Sequence, residues 1–188
     1  MARIHRIDRS RKEVICSKCR EVLPVGSPYL KATPYHAKPI IRCIKCGLKS
    51  YETSGSDFIQ SVGRIAEDWS KDYSLGESTA EEISEALGEI RDQCEENYDN
   101  IPDSLKEAPA GETLQERIDM LEDVINELDN ISWDDILDEA KDEVESTLDR
   151  DDYDSDEEYE EALESEAKEL AEDNLEEEIN EALSVLEY

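Results

Sequence analysis

The sequence has little from which to build a large core. Of its 188 residues only one is Phe and two are Trp, and 38% are charged against 37% hydrophobic. Many of the hydrophobic residues are alanine, so the apolar content is thin without reaching the near-absence that marks full disorder. The length allows one ordinary domain, or a small one plus a helical region. No apolar window approaches a membrane span, and MARIHRIDRSRK is basic without the apolar run of a secretory signal. The expectation is a soluble, cytoplasmic protein with no membrane partner. Enzyme signatures are missing too: there is no P-loop, nucleophile elbow, HExxH or glycine fingerprint. The run DYDSDEEYEEAL, residues 152–163, fails as an EF-hand, because its sixth position is not Gly and Leu163 stands where a bidentate Glu belongs. Among so many carboxylates no single pair marks catalysis, so the expectation is a non-enzyme with no catalytic residues.

Basic residues are scarce beyond position 50. The first fifty residues hold twelve Lys/Arg against Asp8, Glu13 and Glu21, a net of +9. The remaining 138 residues hold eight basic and 49 acidic side chains, a net of −41, which with the +9 gives the formal charge of −32. Two such opposite parts do not share one purpose, and they attract each other in cis or between copies, which keeps a homo-oligomer open. The change falls around LKSYETSGSDF. The domain expectation is a basic module over 1–50, a linker over 51–57 and an acidic α-helical region over 58–188, with a sub-break at 100–112.

After the seam nearly everything reads as helix. Phe58, Ile59, Val62, Ile65, Ala66 and Trp69 share a face of a helix capped near Ser56 or Asp57. Thr79 with Glu82 forms a capping box before Ile83, Ala86, Leu87, Ile90 and Cys94. Pro102, Pro109 and Gly111 interrupt the chain. Thr113 with Glu116 opens a third stripe of Leu114, Ile118, Leu121, Ile125 and Leu128, spaced as a short a/d seam. Ser132 with Asp135 opens a fourth, of Trp133, Ile136, Leu137, Ala140, Val144 and Leu148. After the break at DRDDYDSDEE, Ser155 with Glu158 opens the last, carrying Tyr159, Leu163, Ala167, Leu170, Ile179, Leu183 and Leu186. Each stripe is narrow, so the helices are expected to pack on one another as a bundle or helical-hairpin array.

The first fifty residues instead show turn residues and short β-like runs, EVLPVG, SPYLKA and KPIIRC. Pro24 and Gly26 mark a tight hairpin turn. Here lie four of the five cysteines, Cys16, Cys19, Cys43 and Cys46, spaced C-x2-C-x23-C-x2-C. Four thiolates suit tetrahedral Zn²⁺, each C-x-x-C knuckle supplying two sulfurs. Gly47 after the second pair allows a sharp turn; Arg20 holds that place after the first and is the less suitable residue. The expectation is one structural zinc ion, closed by four cysteines and therefore not catalytic. So small a module needs the metal in order to fold. His36 is a spare ligand that four cysteines make unnecessary, His5 reads as a solvated tail residue, and Cys94 reads as a small buried apolar group.

The stretch CSKC, the P-x-G-x-x-Y of Pro24, Gly26 and Tyr29, and KPIIRCIKC resemble the N-terminal zinc-ribbon module of small phage-encoded proteins. The following SDFIQSV, leading into acidic helices, extends the likeness, which covers about residues 12–62. The resemblance implies a zinc-ribbon fold and a viral context, hence host cytoplasm, and no particular activity. The fold class expected is mostly α: a small zinc-ribbon/β-hairpin module followed by an acidic helical bundle.

The function expected is binding of a protein partner with a basic surface, one that handles nucleic acid. A second reading makes the acidic helices a DNA mimic that inhibits a host nucleic-acid-binding protein or defence enzyme, since rigid helices can hold carboxylates at spacings comparable to phosphates. Acidity that served solubility alone would extend to the first fifty residues, which are basic. A third reading gives nucleic-acid binding to residues 1–50, with Tyr29, Tyr35 and Tyr51 interleaved among the cations for stacking.

Overall fold

The computed structural model describes residues 2–34 and 38–186 and divides the chain into two compact units, the first ending at Arg64 and the second starting at Ile65. The division falls inside helix α1 (Asp57–Asp72).

Short strands shape the first unit: β1 (His5–Ile7), β2 (Val14–Ile15), β3 (Val22–Leu23), β4 (Tyr29–Ala32) and β5 (Ile40–Cys43). They form an antiparallel sheet in the order β1-β4-β5 and a separate β2–β3 hairpin. The runs EVLPVG, SPYLKA and KPIIRC supply β3, β4 and β5. Strand β1 is new: His5 pairs with Lys31 rather than trailing as a free tail, although it stays exposed. The three residues HRI carry one apolar side chain, so the strand exists because β4 offers it an edge.

Between β3 and β4 the Ser27 amide donates to the Pro24 carbonyl at 3.1 Å, and Gly26 has φ 93°. A turn of this kind needs positive φ at its third residue, which glycine adopts without a Cβ clash. Further on, Thr53 is fully buried; its Oγ1 donates to the carbonyls of Ser50 and Ala2, at 2.8 and 3.1 Å, pinning the N-terminus. Tyr51 lies over Gly63, where an added Cβ would come within 2.4 Å of the tyrosine Cβ.

The second unit contains α2 (Thr79–Asn100), a single turn α3 (Asp103–Lys106), α4 (Pro109–Asp129), α5 (Trp133–Thr147) and α6 (Asp156–Leu183). Two of the expected caps form as read. Ser132 Oγ accepts from the Asp135 amide at 3.4 Å, and Ser155 Oγ accepts from the Glu158 amide at 3.1 Å. The other two do not. Ser78 is the N-cap of α2, its hydroxyl donating to Glu82 Oε1 at 2.8 Å, while Thr79 Oγ1 turns back to the Ser74 carbonyl. In α4 the helix starts at Pro109 and Thr113 lies inside it, its hydroxyl donating to the Pro109 carbonyl at 2.8 Å. Proline's missing N–H costs nothing at a helix start, so the residue read as an interruption opens the helix. Gly111 is needed there because an added Cβ would meet the Lys106 carbonyl oxygen at 2.2 Å.

The helices bury their narrow stripes by pairing, α2 with α4 and α5 with α6, and α4 also touches α6. Ile83 and Leu87 of α2 and Leu121, Val124 and Leu128 of α4 are almost fully buried. A polar link accompanies this packing, Ser84 Oγ donating to Asp129 Oδ1 at 2.6 Å. The buried face of α6 is Ala167, Ala171, Leu175, Ile179, Ala182 and Leu183. Leu163 and Leu170, expected there, are half-buried at its flank. Trp69 of α1 is buried and its Nε1 donates to Asn180 Oδ1 at 2.9 Å. Cys94 is buried on α2 and burial pushes its thiol up, against the pull of Arg117, which keeps it a packed thiol.

Two of the helical glycines, Gly88 and Gly111, should respond oppositely to alanine. Gly88, with nothing within 4 Å of an added Cβ, should gain about 0.5–1 kcal/mol as Gly88→Ala, since alanine reduces the unfolded chain's freedom. Gly111→Ala should lose at least about 1–3 kcal/mol through the clash with Lys106. Denaturant melts of the two variants check the pair.

Candidate metal centre

Two knuckles with the same backbone path present the sulfurs. In the first, between β2 and β3, the Arg20 amide donates to the Cys16 carbonyl at 3.0 Å; in the second, after β5, the Gly47 amide donates to the Cys43 carbonyl at 3.2 Å. Arg20 has φ 64° and Gly47 has φ 63°. Arg20 is the one non-glycine residue with positive φ among the described residues. It is forced into the left-handed region, at a cost of about 1–2 kcal/mol, by the same turn that glycine makes freely. The less suitable residue therefore adopts the conformation of the suitable one.

Backbone bonds hold the knuckles together. The amide and hydroxyl of Ser17 both donate to the Ile41 carbonyl, at 2.8 and 2.7 Å. The Cys43 amide donates to Cys16 Sγ at 3.3 Å, and the Cys46 amide to Cys43 Sγ at 3.4 Å. All four sulfurs lie within 4.8 Å of one another, and Cys19 Sγ is 3.8 Å from Cys43 Sγ. Metal–sulfur bonds of about 2.3 Å in a tetrahedron put the sulfurs about 3.8 Å apart, so the cluster has the size that such an ion requires. The sulfurs close on the packed side of the module: Cys16 and Cys43 are buried with Val14 and Leu23, and Tyr29, Ile41 and Cys46 pack against them. Cys19 faces solvent. The outward face of the hairpin carries the cross-strand pair Ile15 and Val22, 55% and 49% exposed.

The four sulfurs differ in their hold on protons. Burial alone would raise the Cys16 thiol, but the amides aimed at its sulfur, Cys43 foremost, bring it down to about 6. Cys46 is pushed up to about 12, first by the sulfur of Cys43, then by that of Cys19 and by burial. The Glu21 amide pulls Cys19 down, yet the Cys16 sulfur and burial leave it raised. Cys16 thus forms a thiolate readily, whereas Cys19 and Cys46 keep their protons.

Other expected site residues separate. His36 and Tyr35 lie outside the described residues. Tyr51 is buried against Gly63, which removes it from the rings expected to stack, and Tyr29 packs against the cysteines on one side. Arg42 is also committed: its guanidinium pairs with Glu52 at 2.8 Å with both side chains largely buried, and it bonds Ser17 Oγ. That pair was not legible, because ten residues and a strand end separate Arg42 from Glu52. No family model, curated protein or solved structure matches the chain.

Because a metal binds thiolates only, it must displace the protons that Cys19 and Cys46 retain above neutral pH. These two protons alone make the apparent affinity rise at least about a hundredfold per pH unit between pH 6 and 8. A competitive chelator titration across that range checks the slope. Arg20→Gly should relieve the left-handed strain and stabilise the metal-loaded module by about 0.5–1 kcal/mol, whereas Gly47→Ala should destabilise it by about 1–2 kcal/mol. Paired thermal melts of the two variants test the equivalence of the knuckles.

Proposed function

We propose that this chain is a non-enzymatic, zinc-binding interaction protein of phage origin, acting in the host cytoplasm through a protein partner that handles nucleic acid. One structural Zn²⁺ held by Cys16, Cys19, Cys43 and Cys46 stabilises the basic module. Four protein ligands leave it no open position for substrate. The partner has a basic surface and meets the acidic helices.

The observation that carries this reading is the disposition of carboxylates on α6. Glu166, Glu169, Asp173 and Glu177 are all exposed, and their spacing aligns them on one flank, opposite the buried Ala167, Ala171, Leu175 and Ile179. Successive members rise about 4.5–6 Å along the axis, the scale of one phosphate charge per about 3.4 Å along a DNA strand. A helix fixed by packing on its other face holds such charges in place. A basic groove would be drawn quickly to that field. The same ridge supports the finer reading, in which the helices stand in for DNA and inhibit a host defence enzyme.

The immobilised full-length protein, exposed to nuclease-treated host lysate, should retain a basic nucleic-acid-handling protein at low salt and release it at about 0.5 M, where screening falls to a few ångströms. Replacing Glu166, Glu169 and Glu177 by Gln and Asp173 by Asn should weaken retention at least about tenfold. Duplex DNA should displace the partner if the helices mimic DNA, and bind alongside them if they do not. A partner that resists high salt and ignores the substitutions sinks the proposal. Metal analysis should return one zinc per chain, and a module that folds without metal removes the structural role.

A further inference from the structure

Arg6, Asp8, Arg9, Arg11, Lys12, Ile7 and Tyr29 line a cleft of about 660 Å³ in the first unit, away from the proposed partner-binding ridge in sequence and in charge. Four of its seven residues are cations and one is an acid, Asp8, which pairs with Arg6 at 3.3 Å. Arg9, Arg11 and Lys12 are exposed and have no ion-pair partner among the described residues. This contrasts with Arg42, which Glu52 neutralises inside the same unit.

The cationic loop is anchored. Ser10, between Arg9 and Arg11, is buried to 4% exposure and makes four hydrogen bonds to the β3–β4 turn. Its amide donates to the Ser27 carbonyl at 3.0 Å and its hydroxyl to the Pro24 carbonyl at 2.9 Å; its Oγ and its carbonyl both accept from the Gly26 amide, at 2.9 and 3.0 Å. The residues that flank a buried anchor are held outward without an ordering cost at the moment of binding. Tyr29 is tied down as well: it pairs with Ile7 across β1 and β4 and with Cys43 across β4 and β5, packing against the cysteine cluster while lining the cleft.

We propose that this cleft binds the sugar–phosphate backbone of single-stranded nucleic acid. Arg9, Arg11, Lys12 and Arg6 contact successive phosphates, and one base lies against Tyr29. Three guanidinium forks suit a run of phosphates and not a lone carboxylate, because one carboxylate occupies a single fork and leaves the other cations unpaired. The cleft lies in the size range of small-ligand sites, so it encloses a nucleotide unit or two, whose flanking phosphates along the strand meet the exposed cations, and it does not admit a duplex. An aromatic wall adds what a site for inorganic phosphate has no use for. Binding is sequence-tolerant and modest, with a dissociation constant of about 10–100 μM at physiological salt. The site is independent of the partner reading, since it uses none of the acidic helices.

Fluorescence anisotropy on the full-length, metal-loaded protein with a labelled twelve-nucleotide single strand (~12 nt spans the site several times over) decides the matter. Three to four phosphate contacts at about 0.7 counterions each predict affinity falling about twenty- to fiftyfold between 50 and 200 mM salt. The double variant Arg9→Ala/Arg11→Ala, at two exposed positions, should bind at least about tenfold more weakly and with a shallower salt slope. Lys18→Ala/Lys45→Ala, on the knuckles, should bind as the unsubstituted chain does. Tyr29→Leu should weaken binding severalfold and Tyr29→Phe should not, metal content being the check that both remain folded. Unchanged binding by the arginine variant overturns the site. Tighter binding to a duplex, or competition by free ADP at the concentration of the oligonucleotide, overturns the single-strand assignment.

Discussion

The Cys43 amide donating to Cys16 Sγ joins two knuckles that are separated by twenty-three residues in the sequence, and the first unit is arranged around that junction. Once the sulfurs converge, β5 is fixed against the hairpin through Ser17 and Ile41, and β4 is fixed between β5 and β1. The apolar groups packed with the sulfurs are few: Val14 and Leu23 buried, Tyr29 and Ile41 in part. Such a set removes too little surface from water to offset the ordering of some fifty residues. A metal held by the four sulfurs would supply the difference, because its binding free energy would also be folding free energy.

The second unit meets the same shortage of large apolar side chains by a different route. Each of the long helices has only a narrow apolar strip, and a helix of that kind is marginal alone in water. Pairing α2 with α4 and α5 with α6 buries two strips at once and leaves the carboxylates outside. On α6 half of the buried face is alanine, Ala167, Ala171 and Ala182 beside Leu175, Ile179 and Leu183. Alanine lets neighbouring backbones approach, so close packing substitutes for bulk. The acidity is then a consequence of which faces remain, and its regular spacing follows from the helical period.

Periodicity was legible wherever it decided the outcome. The strips of α2, α4 and α5 turn inward as their spacing predicts, although Ala86, Ile90, Leu114, Trp133, Leu137 and Leu148 at their margins are only half-buried, and the cysteine spacing identified the cluster without help from the fold. Caps were less legible. Ser78 and Thr79 are adjacent and chemically alike, so the sequence cannot choose between them, and proline at 109 reads equally as a break or as a first turn. Strand β1 was invisible because a three-residue strand owes its existence to its neighbour. The left-handed Arg20 had a signal, its position after a C-x-x-C pair, but the signal argued against the residue found there. Non-local closure of the turn outweighed a local preference of one or two kilocalories per mole.

Composition also misstates what the basic residues do. A net charge of +9 over fifty residues describes a uniformly attractive surface for anions, but the structure divides those cations into two kinds. Arg42 is consumed internally, its guanidinium buried against Glu52 and the first knuckle, and its removal would leave a carboxylate without its partner. Arg9, Arg11 and Lys12 have no ion-pair partner among the described residues, although Ser10 spends four hydrogen bonds holding their loop in place. Like charges so close together repel, and an anchored loop that maintains the repulsion is a cost to the folded state. A fold that needed only solubility could relax the loop and separate them. The rigidity of Ser10 is the feature that a binding role explains and a solubility role does not.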